Sequence, residues 1–377
     1  MSYLAQPGLQ SLLLCSDDKI VRVLRRVLTE LEIGVEHCTE LDVAIQKLTR
    51  QRFEAIIVDC TTQAIAASML KGVHSAPANK RAIAVAIIDG QSALKSAFEL
   101  GAHFVLFKPI SLERTKASFR SVRALMKRER RRHLRIPVEL AVTVQSSDPP
   151  RTIELLTVDL SENGVGTKAN VQLPAQFRVR FSLPGNHNEI DCRGEAAWRA
   201  KNVQGIRFRD LSLEASARLK SWIFRQMNGG DADDPPVLCK LSDLSLNACY
   251  LETESPFPVR TRLQITMKAG EQELPVEGMV RIMHPAAGIG VQFTRQTLEA
   301  KSKVENFIHT LTKIKDAVPQ IEVRPDSIDN SPSAFSTMPA DDSDPLLTLF
   351  HTGSDLAPDD FRAALHNQRF ASEQVGI

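Results

Sequence analysis

The sequence has little to stack with and little to cross-link. Only 5% of its 377 residues are aromatic, with two Trp and two Tyr, too few for the base-stacking platform of a single-strand nucleic-acid binder. The six cysteines, at 15, 38, 60, 192, 239 and 249, form no CxxC pair and have no histidine at zinc-finger spacing. That argues against a disulfide framework and a structural zinc site and for reduced thiols. No apolar run reaches the ~18 residues needed to span a bilayer. The opening MSYLAQPGLQSLLLCSDDK lacks a basic start, and Asp17 and Asp18 cut its apolar stretch short, unlike a secretory signal. The expectation is a cytoplasmic protein. An excess of one charge is missing too: 47 Lys and Arg against 45 Asp and Glu give a formal net charge of +2, which argues against a general polyanion binder. HExxH, GxSxG, the P-loop and the Gly-rich dinucleotide fingerprint are all absent, so the sequence is not read as an enzyme.

What remains is ordinary globular material, 43% hydrophobic and 24% charged, long enough for two to four domains. In residues 1–125, apolar runs of strand length at 12–15, 55–58, 83–88 and 104–107 alternate with helix-length amphipathic stretches. One stretch is Val21, Val23, Leu24, Val27, Leu28 and Leu31; another is Leu41, Val43, Ala44 and Leu48. This predicts a doubly wound α/β domain with a parallel sheet buried on both faces. The weaker segment 34–38 fits an edge strand. From 112 to 132 the pattern is helical and increasingly basic, with Arg120, Arg123, Lys127, Arg128, Arg130, Arg131 and Arg132, until Pro137 stops it.

The chain then changes character. Over 126–228, short segments rich in β-branched residues are separated by SSDPP, SENG and PGNHN, which predicts an antiparallel barrel or sandwich closed by a helix at 213–227. A linker composition, NGGDADDPP, follows, and the β pattern returns over 229–314 as a repeat. VDLSENGVGTKAN (158–170) matches SDLSLNACYLETE (242–254), Asp159 and Gly194 are spaced like Asp243 and Gly278, and a second helix is predicted at 296–312. Residues 316–377 carry eleven acidic and three basic residues. With PDSIDNSPSAFSTMPADDSDP inside it, the segment 315–377 reads as a disordered acidic tail, in which LLTLFHTG and FRAALHNQRF suit short helices docking on a partner.

Three groups of residues in the N-terminal domain fall where open parallel sheets form sites, beyond the carboxyl ends of strands. They are Asp17 and Asp18 after the first strand, Asp59 ending the third, and Lys108-Pro109 ending the fifth. With these, residues 10–125 resemble a bacterial response-regulator receiver, a flavodoxin-like fold. The resemblance implies that Asp59 is the phosphoacceptor, that Lys108 neutralises the phosphoryl group, and that Asp17 and Asp59 hold Mg²⁺. It also implies a histidine kinase as partner. Two positions depart from the family pattern. Ser16-Asp17 stands where two acids are usual, and Ala86 stands where a switch hydroxyl is usual. A pseudo-receiver used for docking or dimerisation is the alternative reading.

The middle domain opens on Arg130-Arg131-Arg132-His133-Leu134-Arg135, which contains RxxxR as Arg131 and Arg135. It continues with Asp159-Leu160-Ser161-Glu162-Asn163-Gly164, a [D/N]xSxxG motif. Together, in this order, they resemble a PilZ domain, a module that binds cyclic di-GMP. The residue types suit that ligand. Arginine offers a planar fork to phosphate or to guanine O6 and N7. Asp159 is an acceptor for guanine N1–H and N2–H₂, Ser161 supplies a small hydroxyl, and Gly164 permits close backbone approach. The resemblance places the arginines, Arg130 included, on a flexible segment that clamps ligand against the barrel. The second copy keeps Asp243 and Ser245 but has Ala248 in place of the glycine and no RxxxR upstream, where an acidic segment would repel phosphate. It is read as a degenerate PilZ-like domain that does not bind ligand independently.

The expected protein is therefore multidomain, with one receiver-like α/β domain and two antiparallel PilZ-like β-barrels, each followed by a helix. The expected function is cyclic di-GMP reception in bacterial signal transduction, acting through protein contacts, with homodimerisation left open. The alternatives are a phosphorelay scaffold with structural barrels and a nucleic-acid-binding regulator using residues 120–135.

Overall fold

The computed structural model describes residues 8–147, 150–168, 171–174, 176–185, 189–200, 202–226, 234–294, 297–313, 319–329, 344–353 and 356–374. The chain divides into two units, one formed by Met1–Glu129 with Asp234–Ile377 and the other by Arg130–Asp233. The N-terminal part of the first unit is a parallel sheet of β1 (Leu9–Leu14), β2 (Ile33–Cys38), β3 (Ala55–Asp59), β4 (Ile83–Ile88) and β5 (Phe104–Phe107), in the order β2-β1-β3-β4-β5. Around it lie α1 (Asp18–Glu30), α2 (Leu41–Arg50), α3 (Gln63–Ser75), the short α4 (Leu94–Glu99) and α5 (Leu112–His133). Successive strand residues face opposite sides. Leu13, Ile57, Val85 and Ile87 pack with apolar residues of α1 and α5, and Leu12, Leu14, Ile56 and Val58 with those of α2 and α3. Strands buried on both faces need to be apolar throughout, which is why these runs are continuous rather than alternating.

The second unit is built from β6 (Ile136–Pro137), β7 (Ala141–Ser147), β8 (Pro150–Ser161), β9 (Gly164–Lys168), β10 (Gln176–Ser182), β11 (Glu189–Ala200) and β12 (Val203–Arg209), followed by α6 (Leu213–Gln226). The sheet order is β6-β8-β7-β10-β11-β12-β9, and pairing of β8 with β9 closes a six-stranded antiparallel barrel that carries β6 on its edge. Its core alternates inward, with Val142, Val144, Val179, Phe181, Ile206 and Phe208, and α6 covers it with Leu219, Trp222 and Ile223.

The first unit resumes with a second closed barrel. Its strands are β13 (Val237–Leu244), β14 (Ala248–Glu252), β15 (Thr261–Ala269), β16 (Gln272–His284), β17 (Gly288–Phe293) and β18 (Gln320–Ile328), in the ring β13-β14-β17-β16-β15-β18. α7 (Leu298–Lys313) falls between β17 and β18. The two barrels have the same ring of partners, except that the strand between the first and third repeat strands comes from opposite ends of the sequence. In the first barrel it is β7, ahead of the motif; in the second it is β18, after the closing helix. The second barrel is a circular permutation of the first.

This corrects the reading of 315–377 as a disordered tail. Residues 320–328 are a barrel strand in which Ile321 and Val323 are buried, and α8 (Pro345–Thr352) and α9 (Pro358–Gln374) are helices packed on the second barrel. The acidic composition misled because polar residues fill the outward positions of an edge-closing strand. Residues 330–343, the centre of the Pro/Ser/Asp-rich stretch, and 228–233, the expected linker, lie outside the described residues.

Within the first unit, the receiver-like domain and the second barrel share an interface along α5. Ser121 Oγ donates to Pro256 O at 2.7 Å, Ser255 Oγ to Ala117 O at 2.7 Å, and the Ile328 amide to Glu129 Oε1 at 2.7 Å. Much of the basic run is consumed here. Arg123 lies 2.6 Å and Lys127 3.0 Å from Asp234, and Arg128 lies 3.4 Å from Asp326. The arginine-rich stretch at 120–135 is therefore not one continuous, unpaired basic patch.

Candidate functional site: the outer face of the first barrel

Sequence positions far apart meet at the junction of β6, β8 and β9. Arg135 Nη1 lies 2.6 Å from Asp159 Oδ1, and the same carboxylate oxygen accepts the Gly166 amide at 3.1 Å. The position of Arg135 follows from the two-residue strand after it, since Ile136 pairs with Leu160 and Pro137 with Asp159. The turn after β8 is held by Ser161 Oγ, which donates to Gly164 O at 3.0 Å, and by the Phe208 amide, which donates to Asn163 O at 2.9 Å. Gly164 is required by space: a Cβ there would lie 2.3 Å from Ile206 O. Asn163 Nδ2 reaches Arg132 O at 3.4 Å, tying the motif turn to the end of α5.

The two arginines of RxxxR sit in different environments. Arg135 is exposed, with 41% of its side chain accessible. Arg131 is in the last turn of α5 and only 4% exposed, and Arg130 and Arg132 are half-buried. The expected flexible segment carrying both arginines is instead a helix for Arg131 and a short strand lead-in for Arg135. Beside Asp159 the face continues into a residue the motifs do not include. Trp198, 43% exposed, stands opposite Gly205, whose added Cβ would lie 2.2 Å from Trp198 Nε1. Gly205 pairs with Gly166, the residue whose amide binds Asp159. The signal in the sequence was the segment Gly194-Glu195-Ala196-Ala197-Trp198, which matches a later strand of the PilZ pattern and holds one of the chain's two tryptophans. The assembled face offers a guanidinium, a carboxylate, a backbone turn and an indole on one surface, which suits a ligand with phosphate and a flat polar ring.

In the receiver-like domain, Lys108 Nζ lies 2.9 Å from Asp59 Oδ1 and 3.2 Å from Asp89 Oδ1. Thr61 Oγ1 donates to Asp59 Oδ1 at 2.7 Å, and Cys15 Sγ lies 3.5 Å from Asp59 Oδ2. Burial opposes ionisation of Asp59, but hydrogen bonds from Lys108 and Thr61 more than offset it and hold the carboxyl below its usual range. Burial pushes the Cys15 and Cys60 thiols up to about 11, so neither is a ready thiolate. The structure brings Asp59 and Lys108 together but uses Asp17 otherwise: its Oδ1 caps α1, accepting the Lys19 amide at 2.8 Å and the Ile20 amide at 3.3 Å. Asp18 is the first residue of that helix. Among the described residues no three His, Cys, Asp or Glu side chains come together where they could hold a metal ion. Of the two residues expected to hold Mg²⁺, Asp17 commits Oδ1 to the helix cap and Asp59 is paired with Lys108. The strand residues at the switch position are Ala86, Ile87 and Ile88, none with a hydroxyl. A cleft of about 340 Å³ is lined by Cys60, Thr61, Gln63, Ser92 and Ser96 among others.

The family model of the PilZ domain matches residues 129–225 and 229–310. Two PilZ domains, the copies recognised as a repeat, thus follow an N-terminal α/β domain of receiver-like fold, and a PilZ match supports a role as a cyclic di-GMP-binding effector. Among solved structures, the chain is similar to the receiver domain of a sensor histidine kinase from Pseudomonas aeruginosa, solved with a magnesium ion in its active-site cleft. The identity is 20%, with 32% of this chain and 98% of that one covered and a TM-score of 0.29. A chemotaxis response regulator of Vibrio cholerae matches at 19% identity over 30% of this chain and 98% of its own, with a TM-score of 0.28. The PilZ domain of CeSA from a cellulose-synthesizing bacterium matches at 20% identity over 25% and 98%, with a TM-score of 0.21. A comparison with curated proteins gives no match. No helix among the described residues is long and apolar enough to cross a membrane.

Proposed function

We propose that this chain is a cyclic di-GMP effector whose first barrel takes the nucleotide on the face made by Arg135, Asp159, Ser161 and Gly164, with Arg130 and Arg131 contributed from the end of α5. The observation that carries this reading is the 2.6 Å contact between Arg135 and Asp159, which joins the two short motifs at one point. Phosphate would draw Arg135 away from Asp159, leaving the carboxylate to accept from a guanine edge. The arginine fork satisfies phosphate oxygens bidentately, so one ion pair is exchanged for a stronger set of charge-assisted bonds.

Arg131 belongs to α5, a helix whose earlier turns lie in the other unit. Ligand that engages both Arg131 and Arg135 would therefore act on the end of that helix, and through it on the arrangement of the two units. Scattering curves with and without cyclic di-GMP should differ on this reading; superimposable curves would remove the rearrangement while leaving binding intact. The receiver-like domain serves here as a docking body for the second barrel. Phosphate transfer to the chain from a small phosphodonor, lost in Asp59→Asn, would instead give Asp59 the role of phosphoacceptor.

The deciding experiment is calorimetric titration of the full chain with cyclic di-GMP, comparing the native sequence with Arg131→Ala, Arg135→Ala and Asp159→Ala. Binding by the native chain that weakens at least tenfold, about 1.4 kcal/mol, in the Arg135 and Asp159 variants supports the proposal. A silent native chain would refute it, and equal affinities in all four would place the site elsewhere.

A further inference from the structure

The permuted repeat makes the two barrels comparable residue by residue. In the first, Trp198 stands opposite Gly205, and Gly205 opposite Gly166. In the second, Ile282 stands opposite Gly290, and Gly290 opposite Tyr250. The motif turn is the same too: Ser245 Oγ lies 3.2 Å from Ala248 O, as Ser161 Oγ lies 3.0 Å from Gly164 O. Along β14, Cys249 and Leu251 face the barrel core while Ala248 and Tyr250 face outward. The outward face of β14, β16 and β17 is therefore the counterpart of the Asp159 and Trp198 face.

That face is covered by the chain's own C-terminal helices. Ala248, Tyr250 and Ile282 form an apolar cluster with Leu346, Leu347, Phe350, Phe361 and Leu365, separate from the barrel core. A Cβ on Gly290 would lie 2.7 Å from the Phe350 ring. The Phe361 ring centroid is 5.0 Å from that of Tyr250 and 4.4 Å from that of His284. At the motif itself, Asp344 Oδ2 accepts from Ser245 Oγ at 2.8 Å, while Asp344 Oδ1 caps α8 by accepting the Leu346 and Leu347 amides. The carboxylate that starts the helix is thus held by the serine of the second copy's DxS motif. One more tie reaches the receiver-like domain, where Gln91 Nε2 donates to Leu356 O at 2.9 Å.

We propose that the outer face of the second barrel is a helix-binding site, and that α8 and α9 are its exchangeable ligand in cis. The ligand class is an amphipathic helix that opens on an acidic N-cap followed by two leucines and a phenylalanine, the pattern Asp344, Leu346, Leu347, Phe350. An acidic cap suits the serine hydroxyl and the helix dipole together. The phenylalanine fills the space that glycine leaves over β17, and an amphipathic helix laid into an apolar groove is a recurring mode of peptide recognition. Where the first barrel carries Gly164, Gly166 and Trp198, the second carries Ala248, Tyr250 and Ile282, and these outward residues pack on the helices.

The test uses the full chain with a specific protease site inserted between 330 and 343. After cleavage, size-exclusion chromatography at successive dilutions reports whether fragment 344–377 leaves the body, and a labelled synthetic peptide of residues 344–374 reports whether the vacated face can be refilled. The expected result is co-elution at high concentration, separation on dilution, and peptide binding weakened at least tenfold by Phe350→Ala in the peptide. Because that substitution is in the peptide, the body's folding is untouched. A fragment that never separates under native conditions, a body that fails to take up the peptide, or equal binding of the native and Phe350→Ala peptides would each overturn the proposal.

Discussion

Arg135 and Asp159 are 24 residues apart in the sequence and 2.6 Å apart in the fold, at a point where a two-residue strand lies along β8. The contact is a surface ion pair, so its contribution to stability is small, about 0–1 kcal/mol. Its value lies in placing a guanidinium beside an acceptor at the motif turn.

Arg135→Lys separates charge from shape. It keeps the positive charge but removes the planar fork. Calorimetry should show cyclic di-GMP binding weakened about tenfold or more, while the denaturation midpoint stays unchanged.

Trp198 and Trp222 are the two tryptophans of the chain, the first 43% and the second 3% exposed. Ligand arriving beside Asp159 should alter only the exposed indole. Cyclic di-GMP is expected to change the emission of the native chain and to leave that of Trp198→Phe unchanged. An undiminished change in that variant would place the ligand away from this face.

His284 is fully buried beneath α9, with Nδ1 3.0 Å from the Tyr250 hydroxyl. Burial, with a smaller effect from Arg362, pushes its pKa down to about 4. A histidine lowered in the fold is protonated first in the unfolded chain. Stability should therefore fall as pH drops from about 6.5 to about 4, by up to about 3 kcal/mol, and level off below that. Urea denaturation at pH 7, 5.5 and 4 should show this slope, and His284→Gln should reduce it.

β18 supplies the strand shared by β13 and β15. A chain ended after residue 314 leaves both without their neighbour and removes the Ile328 amide from Glu129, a buried carboxylate. An unpaired buried polar group costs about 1–3 kcal/mol, more when charged. The chain ending at 314 should lose cooperative unfolding of the second barrel, and a chain ending at 329 should keep it, as read by circular dichroism in denaturant.

Local pattern made much of this legible. The continuous apolar runs of β1, β3, β4 and β5 could serve only a sheet buried on both sides, and the observed helices α5, α6 and α7 lie within two residues of their expected bounds. The repeat was visible because DxS turns and paired glycines recur at matching spacing. β18 was hidden because Glu322, Arg324 and Asp326 alternate with its apolar residues, and composition summed over 62 residues outweighed a nine-residue pattern.

The sequence by itself determined the elements and the residue types available to them, because periodicity and turn chemistry act over a few neighbours. Contacts between distant segments were decided only by the tertiary structure. It took Arg123, Lys127 and Arg128 out of the basic run by pairing them with Asp234 and Asp326, and it left Arg135 exposed at Asp159. It closed the second barrel with a strand from beyond the expected boundary and covered that barrel's outer face with α8 and α9. The physical reason is the same in each case. An acid can be supplied from any distance along the chain to a base that folding has partly buried, and an edge or apolar face left open by one segment is closed by whichever later segment carries the matching alternation.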